Sequence, residues 1–537
     1  MNSQKIFQLQ RNPSLESEHV FIIIGTGLSG MSVFCQLVEK LQLEQSQHTY
    51  RIKIFEKNPR YFATGEPYHI STPTIWTLNN PAAKMRLTPN GQDAATWMQE
   101  NEDKWKEKFP NIDMEYVPRS LIGMYLKAQY ALYKKQARLN NIIVEEYCDS
   151  INDISLTESN NWKVKTEQSQ SHIANTLFLC LGHAPSNLYT HLSGYKNYFT
   201  STTPIHELER IPKNEDVYII GGQASYVDIA LLLAYQHNHT GKIHSLTRNA
   251  SIITSKGNND ECNKKPLEEL REKLKTQYQP NSLSLTNTKQ LLWAIYQQSV
   301  KNPVNIVNPP STKEALSYQI TKYDHKSLLN SNIGNIDETR SFFLNFYLHG
   351  CYQKLWETLC DDDKNEFNTQ LFTTIMAYLT GITPLNARLL LELYDREMIL
   401  EHPGVSKIFY DDKKEKFIIE FKNKEPIEVN TIINASGYGY DVSKVNIDTP
   451  LLTQLIEKGL MVPKKLGGLE ITDRGQLINK NKEVISNIFC IGPVASYNHK
   501  YPTPYASFIA VGAAKNAIEA INLSPIVAND QHRNIMN

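Results

Sequence analysis

The stretch VFIIIGTGLSGM, Val20 to Met31, decides how this chain is read. Its opening run is continuously apolar and largely β-branched, the pattern of a central parallel strand covered on both faces. Glycines follow at once, at Gly25, Gly27 and Gly30. From Met31 to Leu43 apolar residues recur at helical spacing (Val33, Phe34, Leu37, Val38, Leu41), and RIKIFE at 51–56 reads as a second strand ending on a carboxylate. Strand, glycine turn, helix and strand make a complete β-α-β unit. In such a unit Gly25 makes the tight turn, Gly27 lets the backbone approach a pyrophosphate, and Gly30 lets helix and strand pack closely. The helix start, with the N–H groups of Leu28 and Ser29, offers donors and a partial positive charge to phosphate oxygens. Glu56, with Lys57 beside it, stands where a carboxylate accepts ribose hydroxyls; its charge favours a 2′-OH over a 2′-phosphate.

A second unit of the same kind runs from Asp216 to Arg248, with VYII as strand, VDIALLLAY as helix and KIHSLTR as strand. This internal echo predicts an α/β protein with two Rossmann-like dinucleotide-binding domains, the first interrupted by the second. Between the units lie helical segments at 93–108 and 120–138 and several short strand-like runs. From about Ser251 to Glu401 the texture changes to Lys/Asn/Gln-rich amphipathic helices, read as a helical insertion. Strand character returns at FIIEF (417–421), TIINAS (431–436) and NIFCIG (487–492), before a helical stretch from Tyr505 to Ile521. The expected division is 1–200 for the N-terminal part of the first domain, 201–250 with 402–430 for the second, 251–401 for the insertion, and 431–537 for the C-terminal part of the first.

At 537 residues the chain is too long for one compact core. Lys+Arg and Asp+Glu both number 56, so no global field draws the protein to nucleic acid or to an anionic membrane. The seven cysteines are scattered and never spaced as C-x-x-C, which argues for a reducing compartment and against disulfide-reductase chemistry. The start lacks an apolar signal core, and apolar runs fall far short of the roughly 20 residues of a membrane span. A cytoplasmic protein acting on a small molecule is the expectation.

GEPYHISTPTIWTLNNPAAKMRL (65–87) and YVPRSLIGMYL (116–126) carry a family resemblance. They resemble the G-x-x-Y, L-N-x-P-A-x-x-M and P-R-x-x-x-G-x-Y-L patterns of the two-dinucleotide-domain flavoproteins, matching Gly65, Tyr68, Leu78, Asn79, Pro81, Ala82, Met85, Pro118, Arg119, Gly123, Tyr125 and Leu126. EVNTIINASGY resembles the acid-x-x-x-apolar-A-T-G-Y motif of flavin N-hydroxylating, class B type monooxygenases, with Ser436 in place of the threonine. NIFCIGPV with YPTPYASFIAVGAAKNAIEAI resembles their C-terminal flavin-binding segment. The resemblance implies FAD as cofactor in the first domain, with Tyr68, Asn79, Met85, Arg119, Gly182, Gly437, Gly492, Pro493 and Pro504 joining the glycine turn as binding residues. It implies NADPH as the candidate hydride donor at the second turn, and it leaves the catalytic residues unassigned.

That second turn, GGQASYVD (221–228), keeps Gly221 but has Gln223 and Tyr226 where the second and third glycines belong. Arg248, at the end of the following strand, stands where an arginine meets a 2′-phosphate. His183, His499 and Tyr501 lie in segments that could approach a flavin. The acidic run DDDK (361–364) reads as a helix start rather than a metal site. There is no nucleophile elbow, zinc-protease motif or Walker loop. Three readings follow: an NAD(P)H-dependent flavin monooxygenase; an FAD-binding interaction or regulatory module with a decayed nicotinamide site; and a flavoprotein oxidase or dehydrogenase needing no nicotinamide.

Overall fold

The computed structural model describes residues 18–44, 49–159, 161–183, 188–200, 205–249, 252–257, 261–306, 308–325, 334–437, 442, 450–464, 467–496, 506–521 and 523. The first half of the chain lays down β1 (Glu18–Ile24), β2 (Thr49–Phe55), β3 (Ile143–Tyr147), the antiparallel strands β4 (Ile151–Leu156), β5 (Trp162–Thr166) and β6 (Ser171–Ala174), and β7 (Thr176–Leu179). Next come β8 (Tyr198–Thr200), β9 (Val217–Ile220), β10 (Ile243–Thr247) and β11 (Ile399–Pro403). A second antiparallel trio, β12 (Val405–Asp411), β13 (Lys416–Phe421) and β14 (Ile427–Val429), leads into β15 (Thr431–Asn434). β16 (Gln476–Ile478) and β17 (Val484–Cys490) close the strand list.

Two main sheets result. The first has the order β16-β17-β7-β1-β2-β3, parallel except for β16 against β17. The second has the order β11-β10-β9-β15-β8 and is parallel throughout. Each is built by one plan: strand, glycine-bearing turn, helix, strand, a long connection ending in a helix, strand, a three-stranded antiparallel sheet, and a return strand beside the first. The helices after the two turns are Leu28–Leu41 and Ala224–Leu231, and those ending the long connections are Arg119–Leu139 and Pro384–Asp395.

The repeat extends further than the sequence reading placed it. Thr431–Asn434, grouped from sequence with the C-terminal part of the first domain, pairs in parallel with Val217–Ile220 in the second sheet. Pro384–Asp395, grouped with the insertion, and Ile399–Pro403, cut by the boundary expected after Glu401, complete that second unit; Ala387, Leu390 and Leu393 pack into its core with Ile219, Val227 and Ile243. A four-residue, fully buried strand such as TIIN suits either sheet equally, so its partner is settled only by packing. Of the remaining insertion helices, Thr312–His325 also sends Leu316 and Ile320 into the core of the second unit, whereas the others, from Lys265–Thr276 to Thr373–Leu379, pack around Leu270, Tyr296, Phe342, Phe346 and Tyr352. The final helix, Ala506–Glu519, runs against Leu28–Leu41; Gln36 Nε2 donates to Val511 O (3.1 Å), and Lys40 Nζ donates to the terminal carbonyls of Ile518 (2.9 Å) and Ile521 (3.2 Å).

The two units are tied together at one helix. Arg119 Nη2 pairs with Asp228 Oδ2 at 2.9 Å, and Trp76 Nε1 donates to Asp228 O at 2.7 Å. Burial raises the Asp228 carboxyl above the usual range while Arg119 opposes the rise.

A chain of imidazoles lies between the second sheet and the trio β12-β13-β14. Lys424 Nζ reaches His402 Nδ1 at 2.9 Å, and His402 Nε2 reaches His244 Nδ1 at 2.8 Å. An ammonium only donates, so His402 carries its proton on Nε2 and gives that hydrogen bond to His244. His244 then carries its own proton on Nε2, 3.7 Å from Asp216 Oδ2. Burial, Lys424 and His244 hold His402 down at about 4. Burial also lowers His244, with Asp216 opposing and Lys242 and Lys424 assisting. The unfolded chain takes up protons below about pH 6.5 while these folded imidazoles resist them, so stability falls as pH drops through that window toward 4. Urea midpoints measured from pH 7 to 4.5 should therefore decline less steeply for His402→Phe than for the parent chain. Parallel curves would show that this chain carries none of the dependence.

Candidate functional site

The first turn is shaped by one close approach. Cys180 N donates to Ile24 O (2.8 Å), which brings the Cys180 carbonyl against Gly25. Gly25 has φ +98°, and a Cβ there would lie 2.2 Å from Cys180 O. A Cβ on Gly30 would lie 1.9 Å from Gly25 O. Both glycines are therefore demanded by the protein itself. Gly27 differs: it is the N-cap of Leu28–Leu41, no side chain caps that helix start, and a Cβ there would meet only Gly65 Cα at 3.8 Å. Facing Gly27, Gly65 has φ +67°. Two backbones without side chains thus border the open end of a 14-residue helix, a cradle for a phosphate group. Gly492, φ +109°, closes on the same helix start, where a Cβ would meet Ser29 Oγ at 2.8 Å.

Glu56 is buried at the end of β2 and holds the turn in shape. Its Oε2 accepts from Thr26 N (3.0 Å) and Thr26 Oγ1 (2.7 Å), and its Oε1 accepts from Asn58 N (3.2 Å). Thr26 Oγ1 in turn accepts from Ala63 N (3.1 Å), joining the turn to the segment that carries Gly65. Thr26 escaped the sequence reading, although a hydroxyl between the first two glycines was the available signal.

Other predicted site residues are distributed as follows. Leu28, Ser29 and Gly492 gather at the helix start, and Pro493 opens the short helix Pro493–Ser496 just beyond. Tyr68 sits where its carbonyl underlies Gly123, at which a Cβ would come within 1.9 Å. Gly182, φ +74°, lies two residues past Cys180 with open space around it, and Lys57 and His183 are exposed. Met85 is 5% exposed and packs within the first core, so its side chain is a core group in this structure. Arg119, assigned to the cofactor from sequence, is engaged by Asp228 and by Thr77 O (3.1 Å). Gly437, φ +97°, stands beside the second turn, not the first, because it follows β15. Pro504, His499 and Tyr501 lie outside the described residues. Asp361–Asp363 occupy the first turn of the helix Asp361–Phe367, and Asp363 Oδ2 accepts from Leu285 N at 2.8 Å.

The second turn repeats the first at its opening and then departs. A Cβ on Gly221, φ +136°, would lie 2.6 Å from Ala435 O, the counterpart of Cys180. Gln223 is the N-cap, as Gly27 is, and its Nε2 donates to Ile252 O at 3.0 Å. Tyr226, in the place of Gly30, is 1% exposed. Register aligns the strand ends: Ile24 pairs with Phe55 and Ile220 with Leu246, so Thr247 is the counterpart of Glu56 and the exposed Arg248 that of Lys57.

Sequence reading also missed Lys256, which has no periodic pattern to mark it. Its buried ammonium donates to Asn79 O and to Asn80 Oδ1 (2.9 Å), tying the start of the insertion to the loop after the first turn. Burial, with the nearby Arg340 adding to it, lowers this lysine to about 7.

Fold and site define the class: a protein of two units, each with the architecture of a dinucleotide-binding domain. Residues 22–184 match the family model described as FAD-NAD(P)-binding. No curated protein sequence matches the chain. Among solved structures, it is similar to the ornithine N-hydroxylase of Kutzneria sp. 744, solved with reduced FAD, NADP+ and L-ornithine (11% identity, 94% of this chain and 99% of that one, TM-score 0.52). It is similar also to the cadaverine monooxygenase of Erwinia amylovora bound to FAD (12%, 95% and 99%, TM-score 0.51). The L-lysine 6-monooxygenase of Pseudomonas syringae aligns likewise (14%, 94% and 99%, TM-score 0.50). The chain therefore has the fold of the N-hydroxylating flavin monooxygenases, as its motifs led one to expect.

The geometry separates the roles of the glycines. Gly27→Ala adds a methyl that the protein accommodates but that a pyrophosphate seated in the cradle would meet, so the variant should melt with the FAD-free parent chain and purify without flavin absorbance. Gly30→Ala collides with backbone and should lose on the order of 2–3 kcal/mol of stability, as overpacking at a rigid contact does. Differential scanning fluorimetry with a visible spectrum distinguishes them; equal destabilisation by both would refute the division of labour.

Proposed function

We propose that the chain is an FAD-dependent oxidoreductase of the flavin-monooxygenase type, reduced by NAD(P)H and acting on a small molecule. The observation that carries the reading is the open cradle between Gly27 and Gly65 at an uncapped helix start, with the same strand-turn-strand frame repeated once at Gly221. FAD fits the first site: the N–H groups of Leu28 and Ser29 face the diphosphate position, Glu56 stands at the ribose end, and Gly492 brings the C-terminal segment over the same helix. FAD held there would supply two-electron chemistry, taking reducing equivalents from a nicotinamide and passing them to oxygen or an organic acceptor. The protein's own share is positioning, exclusion of water, and the electrostatics of the helix start.

For the second site, NADPH is the donor favoured by the strand end. Thr247 replaces the carboxylate that would repel a 2′-phosphate, and Arg248 beside it supplies a guanidinium in fork geometry. An interaction module with a decayed nicotinamide site is favoured by a different observation, the Gln223 amide held on Ile252 O at the point where a second glycine belongs.

One anaerobic titration decides between them. A yellow protein whose flavin absorbance bleaches on adding NADPH supports the enzyme; a yellow protein that neither NADPH nor NADH bleaches supports the module, or an oxidase reduced by its own substrate; a colourless protein overturns the FAD assignment. Arg248→Ala should raise the KM for NADPH about tenfold, the worth of one charge-assisted hydrogen bond, while leaving NADH nearly unaffected. Equal changes for both nucleotides would remove Arg248 from 2′-phosphate recognition.

A further inference from the structure

At the carboxyl ends of β10 and β11 there is a cavity of about 90 Å³. Gly222, Tyr226, Ser245, Thr247 and Glu401 form its wall on the dinucleotide-binding unit, and residues 309–312 of the insertion form the wall opposite. Three observations make it more than a packing gap. Tyr226 is 1% exposed, and its hydroxyl has no hydrogen-bond partner. A phenol buried without a partner is unfavourable until another polar atom joins it. Ser245 Oγ and Glu401 are already engaged, by Gly221 O (2.9 Å) and by the Tyr394 hydroxyl respectively, so the wall is fixed in place. Thr247 is the strand-end counterpart of Glu56, the position that faces a ribose in a dinucleotide site. The cavity therefore lies beside the sugar position of the second turn, with room for a sugar-sized group and not for a whole dinucleotide.

We propose that Tyr226 is a binding contact of the second site: its hydroxyl binds the adenosine end of the nicotinamide nucleotide, in a pocket that residues 309–312 close from the insertion side. A side chain stands here where a third glycine, as at Gly30, serves only the close packing of helix on strand. The inference rests on the nicotinamide reading of the second turn.

Tyr226→Phe removes the hydroxyl alone and keeps the ring that fills the core. Calorimetric titration of the FAD-loaded protein with NADPH, NADH, 2′-AMP and 5′-AMP should show about tenfold weaker binding for all four, the loss of one hydrogen bond in a desolvated site, with the flavin content unchanged. Thr247→Leu, which fills the pocket from the sheet, should weaken the same four ligands. Unchanged affinities in Tyr226→Phe while the parent binds nucleotide would overturn this proposal alone. Loss of flavin in parallel with nucleotide would also overturn it, since Tyr226 would then act only through packing. A parent chain that binds none of the four would overturn the nicotinamide reading together with it.

Discussion

Everything at the two turns depends on the approach of one backbone carbonyl to one glycine. In each parallel sheet the strand beside the first one ends so that its next residue, Cys180 or Ala435, points a carbonyl at the residue leaving the first strand. A Cβ at Gly25 or Gly221 would lie 2.2 or 2.6 Å from that oxygen, closer than any side chain tolerates. The positive φ angles there, +98° and +136°, then aim the chain back over the sheet and set the helix start at its carboxyl edge. The partial positive charge of that helix is thereby placed where a parallel α/β sheet has its crevice. Without this close approach the helix has no fixed direction, and the cradle does not form.

The sequence showed the plan of the β-α-β units but not all their partners. Val20–Ile24, the glycines and RIKIFE were legible because a buried parallel strand, a forced turn and a strand-end acid each leave a distinct local mark. The echo at 216–248 was legible for the same reason. TIINAS was not assignable: a short apolar strand can join either sheet, and its place beside β9 follows from contacts some two hundred residues apart. Gly437 went to the wrong turn with it. Met85 and Arg119 matched a cofactor motif, yet the same residue types serve as well in a core and in an ion pair, and here they do. Lys256 gave no local signal because its role is a tertiary one.

The ties between the units concentrate on the segment just after the first turn. Thr74, Trp76, Asn79 and Asn80 contact Gln236, Asp228 and Lys256 of the second unit and the insertion. The Arg119–Asp228 pair joins the same helix, with side chains only 19% and 14% exposed. Breaking a pair so buried by removing one partner costs about 3 kcal/mol, because the other charge stays desolvated. These ties fix the relative placement of the two turns, which any transfer between two bound cofactors requires.

Both units are elaborated in the same connection, the one between their second and third strands. In the first, residues 56–142 fold back so that Gly65 faces Gly27 and Arg119 reaches the second unit. In the second, residues 248–398 fold back so that Ile252 meets Gln223 and residues 309–312 meet Tyr226. This connection leaves the second strand at the carboxyl edge of the sheet, so whatever is inserted at its start comes to lie over the ligand crevice. Enlargement of that connection changes what a site admits without disturbing the glycine–carbonyl approach beneath it. The first connection brings bare backbone, Gly65, to the bare backbone of Gly27; the second brings Ile252 and residues 309–312 to side chains, Gln223 and Tyr226, that the second turn carries in place of glycines. The chemical difference between the two sites follows from those replacements together with Thr247 at the strand end where the first unit has Glu56, on one and the same frame.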